Sequence, residues 1–461
     1  MVNYNERLLE NKEAYVADLI ELLSLPSIST DASHANDVRK TADWVEKRLR
    51  RAGIEEVRLM ETGGHPVVYG ERIESPEVPT VLFYGHFDVQ PAEPIELWEH
   101  DPFVPYIDNG LLYARGASDM KANLLLPVIA CEALLQSEGQ LPVNVKFLFE
   151  GEEEIGSPSL GSFIEKNQQL LACDLVISAD GGIGSANQPV VNIGNRGLAG
   201  LQLRVKSADV DLHSGMGGYA PNALHGLVTI LDRLRDEEGR ILVDGFYEDV
   251  TEISELEKGI LAEGSKSLDE QMKQTGMKSS FGEPEFSPME RMLVRPTLEI
   301  NGLWGGFQGQ GIKTVIPHEA FAKITCRLVG KQNPAKIRDL LKTYIQKIAP
   351  SYLDIEFEDL PGEAFSYRLA PDHPSVKALQ KMLALTTDTP VSFGFSGGTV
   401  PVMGLLKHNL GVDTITVGAS EAGQNAHAPN EWVSLENYYR LQGIYCEFLN
   451  ELSTLHLRST L

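Results

Sequence analysis

Basic residues are scarce in this 461-residue chain: 40 Lys and Arg stand against 65 Asp and Glu, a formal charge of −25. No uninterrupted basic run reaches five residues. Such a chain repels a phosphate backbone, so nucleic acid is not an expected partner. Its many carboxylates are available instead as ligands for hard or borderline cations. Cysteine is rarer still. Cys131, Cys173, Cys326 and Cys446 form no CxxC pair and three of them lie in apolar runs, the pattern of packed, reduced thiols in a cytoplasmic protein. Long apolar runs are missing too. The most apolar stretch, "ANLLLPVIACEALL", holds a proline and a glutamate and is too short to cross a bilayer. The opening "MVNYNERLLENKE" is charged where an export signal would be apolar, so neither export nor a membrane anchor is expected.

What is present is 42% hydrophobic residue content, enough for two or three packed cores. In "NERLLENKEAYVADLIELLSLP", Leu8, Leu9, Tyr15, Val16, Leu19, Ile20 and Leu23 recur at helical spacing, which predicts one helix stopping at Pro26. "DVRKTADWVEKRLRRAG" predicts a second, ending at Gly53. Strand-like runs follow in "EEVRLM", "TVLFYG", "VNVKFLF" and "DLVISA", with a helical "MKANLLLPVIACEALLQ" between the second and third. Strands alternating with helices predict an α/β layer on a mixed, mainly parallel sheet. Near Gly197 the pattern changes: "GLAGLQLRVKS" alternates like a half-exposed strand and "PNALHGLVTILDRLRD" reads as an amphipathic helix. The stretch from about Asp244 to Pro296 is polar and weakly patterned. The α/β style returns with "HPSVKALQKMLALT", "DTITVG" and "LENYYRLQGIYCEFLNEL". Residues 1–196 and 369–461 therefore read as two parts of one α/β domain, and 197–368 as an α+β insertion.

In open α/β sheets the functional groups collect beyond the carboxyl ends of the strands. "GHFDVQP" sets His86 and Asp88 after one predicted strand, "FEGEEEIGSP" sets Glu150 to Glu154 after another, and "SADGG" sets Asp180 after a third. Asp119 in "GASDMKAN" precedes a predicted helix, and His427 in "GQNAHAPNEW" follows "DTITVG" and a glycine-containing loop. Singly each has a plain reading: Asp119 as a helix cap, Asp180 as a turn acid, the glutamates as a solvated loop, His427 as a surface imidazole. A buried strand, however, leads the glutamates toward a crevice, where clustered carboxylates persist when a multivalent cation neutralises them. Two histidines with several carboxylates suit zinc, cobalt or manganese better than calcium. Two such ions sharing a carboxylate activate water for amide hydrolysis, and a neighbouring glutamate left free can carry the proton.

The motifs "GHFDVQP", "GASDMKAN", "EGEEEIGSP", "DLHSGMGG", "KTVIP", "CRLVG", "SGGTVP" and "NAHAPNEW", spread over residues 84–432, resemble the dinuclear zinc metallopeptidases that include carboxypeptidase G, aminoacylase and acetylornithine deacetylase, and within them the nonspecific dipeptidase and carnosinase branch. The resemblance implies a phosphorylase/hydrolase-like catalytic domain with an inserted lid and dimerisation domain, a homodimer, and two divalent ions, Zn2+ or else Mn2+ or Co2+. It implies His86 and Asp180 on one ion, Glu154 and His427 on the other, Asp119 bridging them, and a cis peptide after Asp119. It further implies Glu153 as general base, Asp88 as the acid orienting His86, His213 reaching a partner's site, and Thr314, Arg327 and Thr399 as contacts for a small peptide substrate. An N-acyl amino acid is the alternative substrate, and a metal-binding interaction protein without catalysis is the non-enzymatic alternative. The chain departs from the branch at Phe395 and Ser396, where an Arg-Glu pair is common, and near Gly362, where a substrate-contacting histidine is missing.

Overall fold

The computed structural model describes residues 3–184, 187–263 and 265–457. The chain forms two compact units. The first runs up to Ile193 and takes in Leu369–Gly394 and the residues from Leu406 onward; the second comprises Gly194–Arg368 and Phe395–Leu405.

The first unit is built on strands β1 (Glu56–Met60), β2 (Val67–Arg72), β3 (Thr80–His86), β4 (Asn144–Glu150) and β5 (Leu175–Ser178), with a short strand, Thr414–Thr416, at one edge. The order is β1-β2-β4-β3-β5, followed by that edge strand. Strand β3 runs parallel to both β4 and β5, and the edge strand runs parallel to β5. Strand β2 runs antiparallel to β1 and β4. Every residue of β4 is buried, as is β3 beyond its first residue. A strand covered on both faces cannot alternate, which is why "VLFYGH" and "NVKFLFE" read as continuous apolar runs. Around the sheet lie helices α1 (Tyr4–Glu10), α2 (Lys12–Leu23), α3 (Ala35–Arg51) and α4 (Ala122–Glu138), with further helices Pro374–Ala384 and Leu435–Leu452.

The structure departs from expectation at the first helix, which is broken in two. Asn11 leaves helical geometry (φ −100°, ψ 8°) while its side-chain amide and backbone N–H both bond to the Arg7 carbonyl, ending α1. Leu9, expected on the apolar face, is 74% exposed as a result. Strand β2 has no counterpart among the predicted strands. All four cysteines are free, and three are buried, as their apolar surroundings predict.

The second unit is a four-stranded antiparallel sheet of β6 (Gly197–Lys206), β7 (Thr297–Gly305), β8 (Glu319–Leu328) and β9 (Asp354–Asp359) in the order β7-β8-β6-β9. Helices Ala223–Asp232 and Pro334–Ile348 cover one face, closing a core of Leu201, Leu203, Ile324, Leu227, Ile230, Leu341 and Ile345. Only alternate strand residues enter that core, hence the polar alternation of "GLAGLQLRVKS". The weakly patterned stretch up to Pro296 holds helices Glu255–Glu263, Ser265–Thr275 and Pro288–Leu293, the last with a capping box between Ser287 and Glu290. The division differs from the expected one at Phe395–Leu405, which groups with the second unit. The reason is local: Arg196 Nε donates to the Gly397 carbonyl at 3.0 Å, and Phe395 packs against Met289, Leu293 and Val294. Among the described residues, no helix is long and apolar enough to cross a membrane.

Candidate metal centre

Parallel pairing brings the carboxyl ends of β3, β4 and β5 together: His86 lies opposite Glu150, and Tyr84 opposite Ser178. His86 is the last residue of β3 and is fully buried. Its Nδ1 faces the Asp88 carbonyl at 3.1 Å and the Asp88 carboxylate at 3.4 Å. Its Nε2 points the other way, 3.2 Å from Asp119 Oδ1. With Nδ1 hydrogen-bonded, Nε2 is the nitrogen left to bind a ligand, the usual arrangement of a metal-binding imidazole.

Asp119 does not cap α4. It sits in a kinked segment (φ −126°, ψ 95°), with a cis peptide to Met120, and α4 begins after Lys121. Its carboxylate spans two histidines: Oδ1 meets His86, and Oδ2 meets His427 Nε2 at 2.9 Å. His427 also reaches Glu154 Oε2, at 3.2 Å. His427 holds a left-handed backbone (φ 61°) in a loop where Asn425 and Asn430 do the same. That conformation is uncommon for a residue with a Cβ and is found at functional loops held by their surroundings.

Two groups of possible metal ligands result, His86 with Asp119 and Asp180, and Asp119 with Glu154 and His427, each with its ligand atoms within 4.8 Å of one another. They share Asp119. Glu153 belongs to neither; its carboxylate stands 4.0 Å from His86 Nε2. Asp88, fully buried, uses both oxygens to receive the Glu153 and Glu154 backbone N–H groups, at 3.2 and 3.0 Å. One carboxylate thus fixes the loop that carries two others.

The electrostatics call for a cation. Burial pushes the Glu153 and Asp180 carboxyls above their ordinary range, with the surrounding carboxylates adding to it. Burial acts the same way on Asp119, but hydrogen bonds from His427 and His86 reverse it and hold the group low. Hydrogen bonds to Asp119 and Glu154 raise His427 to about 10, against its partial burial. Glu154 Oε1 is buried with no hydrogen-bond partner among the described residues, an atom that a cation would satisfy. A mixed nitrogen and oxygen donor set with an orphaned carboxylate oxygen fits divalent ions.

Three residues absent from the sequence reading complete the surroundings. Gln90 Nε2 donates to Glu154 Oε2 at 2.9 Å. Glu431 and Arg115 form a buried ion pair at 2.7 Å. Glu431 was legible only as an acid four places after His427, which by itself says nothing.

The other expected residues belong to the second unit. His213 is exposed and its Nδ1 accepts the Gly215 N–H. It pairs with Val315, and the next residue, Ser214, bonds to the Thr314 carbonyl, so His213 and Thr314 are neighbours. Arg327, on β8, donates through Nη1 to Thr399 Oγ1 at 2.6 Å.

Residues 82–451 match the family described as Peptidase family M20/M25/M40. The chain belongs to this family and is a metallopeptidase. Curated relatives span nearly its full length. The Cys-Gly metallodipeptidase dug1 of Schizosaccharomyces pombe is 28% identical over 467 residues, covering 97% of each chain. The Beta-Ala-His dipeptidase of Rattus norvegicus is 30% identical over 405 residues, 85% of this chain and 80% of that one. Among solved structures, the M20 family metallo-carboxypeptidase Sso-CP2 of Sulfolobus solfataricus superposes with a TM-score of 0.81 at 35% identity, covering 96% of this chain and 99% of its own. The dipeptidase Dug1p of Saccharomyces cerevisiae superposes at 0.75 with 26% identity and 98% coverage of both chains.

Proposed function

We propose that the chain hydrolyses the amide bond of dipeptides at a dinuclear metal centre. One observation carries the reading: two ligand groups share Asp119 while Glu153 stands beside them and belongs to neither. His86, Asp119 and Asp180 hold one divalent ion and Asp119, Glu154 and His427 the other, with zinc, manganese or cobalt suited to the donors. Bound there, such ions would supply Lewis acidity toward a carbonyl oxygen and a water.

The chain's own groups do the rest. Glu153, which belongs to neither ligand group, accepts the proton of the attacking water and returns it to the leaving amine. Asp88 orients His86 and, through two N–H groups, sets the position of Glu153. Arg327 and Thr399, already bonded to each other, and Thr314 contact the substrate, the guanidinium matching a peptide carboxylate. His213, on an exposed turn, stabilises the developing oxyanion in a partner subunit's site. A homodimer through the second unit goes with that role, and the exposed Val228, Phe281, Ile300 and Leu303 offer it apolar surface. The names of the fungal and mammalian relatives support a dipeptide as substrate, and the free cysteines support a cytoplasmic location.

The likeness to a metallo-carboxypeptidase favours a second reading, removal of a C-terminal residue from longer peptides. The test is Glu153→Gln, with dipeptides, longer peptides and N-acyl amino acids compared on the parent. Loss of about 10²- to 10⁴-fold in kcat with two metals retained is expected for a general base. Unchanged kcat removes Glu153 from the role, and the substrate panel decides between dipeptidase, carboxypeptidase and deacylase. Full activity from a sedimenting monomer removes the partner role of His213.

A further inference from the structure

The loop that carries His427 also carries a carboxylate directed at the backbone of Asp119. Glu431 is fully buried, immediately before the strand Trp432–Ser434, which pairs with Leu111–Tyr113. Its Oε1 accepts the backbone N–H groups of Ser118 and Asp119 at 2.8 and 2.9 Å. Its Oε2 accepts the Gly116 N–H at 2.9 Å and Arg115 Nη1 at 2.7 Å. Arg115 is itself buried and anchored through Nη2 to the Pro91 carbonyl at 3.0 Å.

These N–H groups belong to a segment whose dihedrals are not helical at Asp119 and Met120. Buried N–H groups in irregular backbone must find an acceptor outside the helix ladder. A single carboxylate supplies it for three of them. The outcome is a two-sided grip from one loop: Glu431 takes the main chain of Asp119, and His427, four residues earlier, meets its side chain at 2.9 Å.

We propose that Glu431 is a positioning residue for the metal centre, holding the Asp119 carboxylate where both ligand groups can share it. The inference rests on the dinuclear reading. It distinguishes Glu431 from a mere packing element because both of its oxygens act only as acceptors. In Glu431→Gln the amide nitrogen must face N–H groups, so the shape is kept and the grip on the 116–119 segment is lost.

Cobalt(II) is the probe, since its visible bands report coordination. Metal-free parent, Glu431→Gln and Glu431→Asp are titrated after circular dichroism has shown each to be folded. The parent takes two ions per chain. Glu431→Gln binds at least one of them roughly 10- to 100-fold more weakly, with altered bands, as is usual when a group supporting a metal ligand is changed. Glu431→Asp, which keeps the charge one methylene short, falls between the two. A lower unfolding midpoint with unchanged cobalt affinities and bands would mean a structural role only and overturns the proposal. If Glu431→Gln does not fold, Glu431→Asp is read alone: several-fold weaker binding supports the proposal, and parent-like binding overturns it. A parent that takes fewer than two ions sinks the dinuclear reading first, an outcome visible before any variant is compared.

Discussion

Replacing Asp88 by asparagine changes one atom at the most constrained point of the site. Asp88 is fully buried, and its two oxygens receive the Glu153 and Glu154 N–H groups at 3.2 and 3.0 Å while Oδ1 lies 3.4 Å from His86 Nδ1. An amide leaves one acceptor; in either orientation its NH2 faces a backbone N–H, and in one of them the imidazole as well. One charge-assisted hydrogen bond is lost and a buried N–H is left unmet, at a cost of about 1.5 to 3 kcal/mol. Because the loosened loop carries both the proposed base and a proposed ligand, that cost should appear in the transition state, as about a 10- to 160-fold fall in kcat/KM. With Glu153 misplaced and Arg327 untouched, the fall belongs mainly to kcat. The assay is steady-state hydrolysis of a dipeptide at saturating metal, with metal content counted on the same samples. A variant within about threefold of the parent at equal metal content would mean that the hydrogen bonds of Asp88 do not set the position of Glu153.

Further expectations concern the scaffold. In Gly182→Ala the new methyl would overlap the Ser420 carbonyl oxygen, where the turn after Asp180 meets the 419–420 loop; the loops must part, and thermal unfolding should show a marked drop in midpoint, whereas an unchanged midpoint would contradict this close approach. Chelation should destabilise the protein, because Asp119, Glu154 and Asp180 lose the charge that gathers them; zinc at about 1,000 times its Kd would restore about 4 kcal/mol, and a midpoint indifferent to chelator would speak against a resident ion. Burial holds the His373 imidazole below its ordinary value, and its Nδ1 caps the helix Pro374–Ala384. A lowered folded pKa means that the unfolded chain protonates first, so this contribution is full above about pH 6.5 and is lost as the pH falls below it. His373→Asn keeps the cap and cannot titrate; denaturant midpoints of parent and variant should diverge in the variant's favour only below that pH, and a constant difference would contradict the assignment.

Strands β3, β4 and β5 were legible in the chain alone, because continuous apolar runs ending in charged groups have few other solutions in water, and with them the strand ends where His86, Asp88, Glu153, Glu154 and Asp180 stand. The change near Gly197 from continuous to alternating apolar runs was legible in the same way. Tertiary structure alone decided that Asp119 would not cap a helix. A local pattern shows an acid ahead of "MKANLLL" but not that two imidazoles, one 33 residues before it and one far along the chain, would claim its oxygens. The same holds for Glu431 and Arg115, whose partners lie more than 300 residues apart. Hydrogen bonds of that separation leave no periodicity in the sequence; those of Glu431 and Arg115 exist only once the strands Trp432–Ser434 and Leu111–Tyr113 have paired. The break at Asn11 and the transfer of Phe395–Leu405 to the second unit have a similar origin, since each turns on specific side-chain and backbone bonds that outweigh the local pattern.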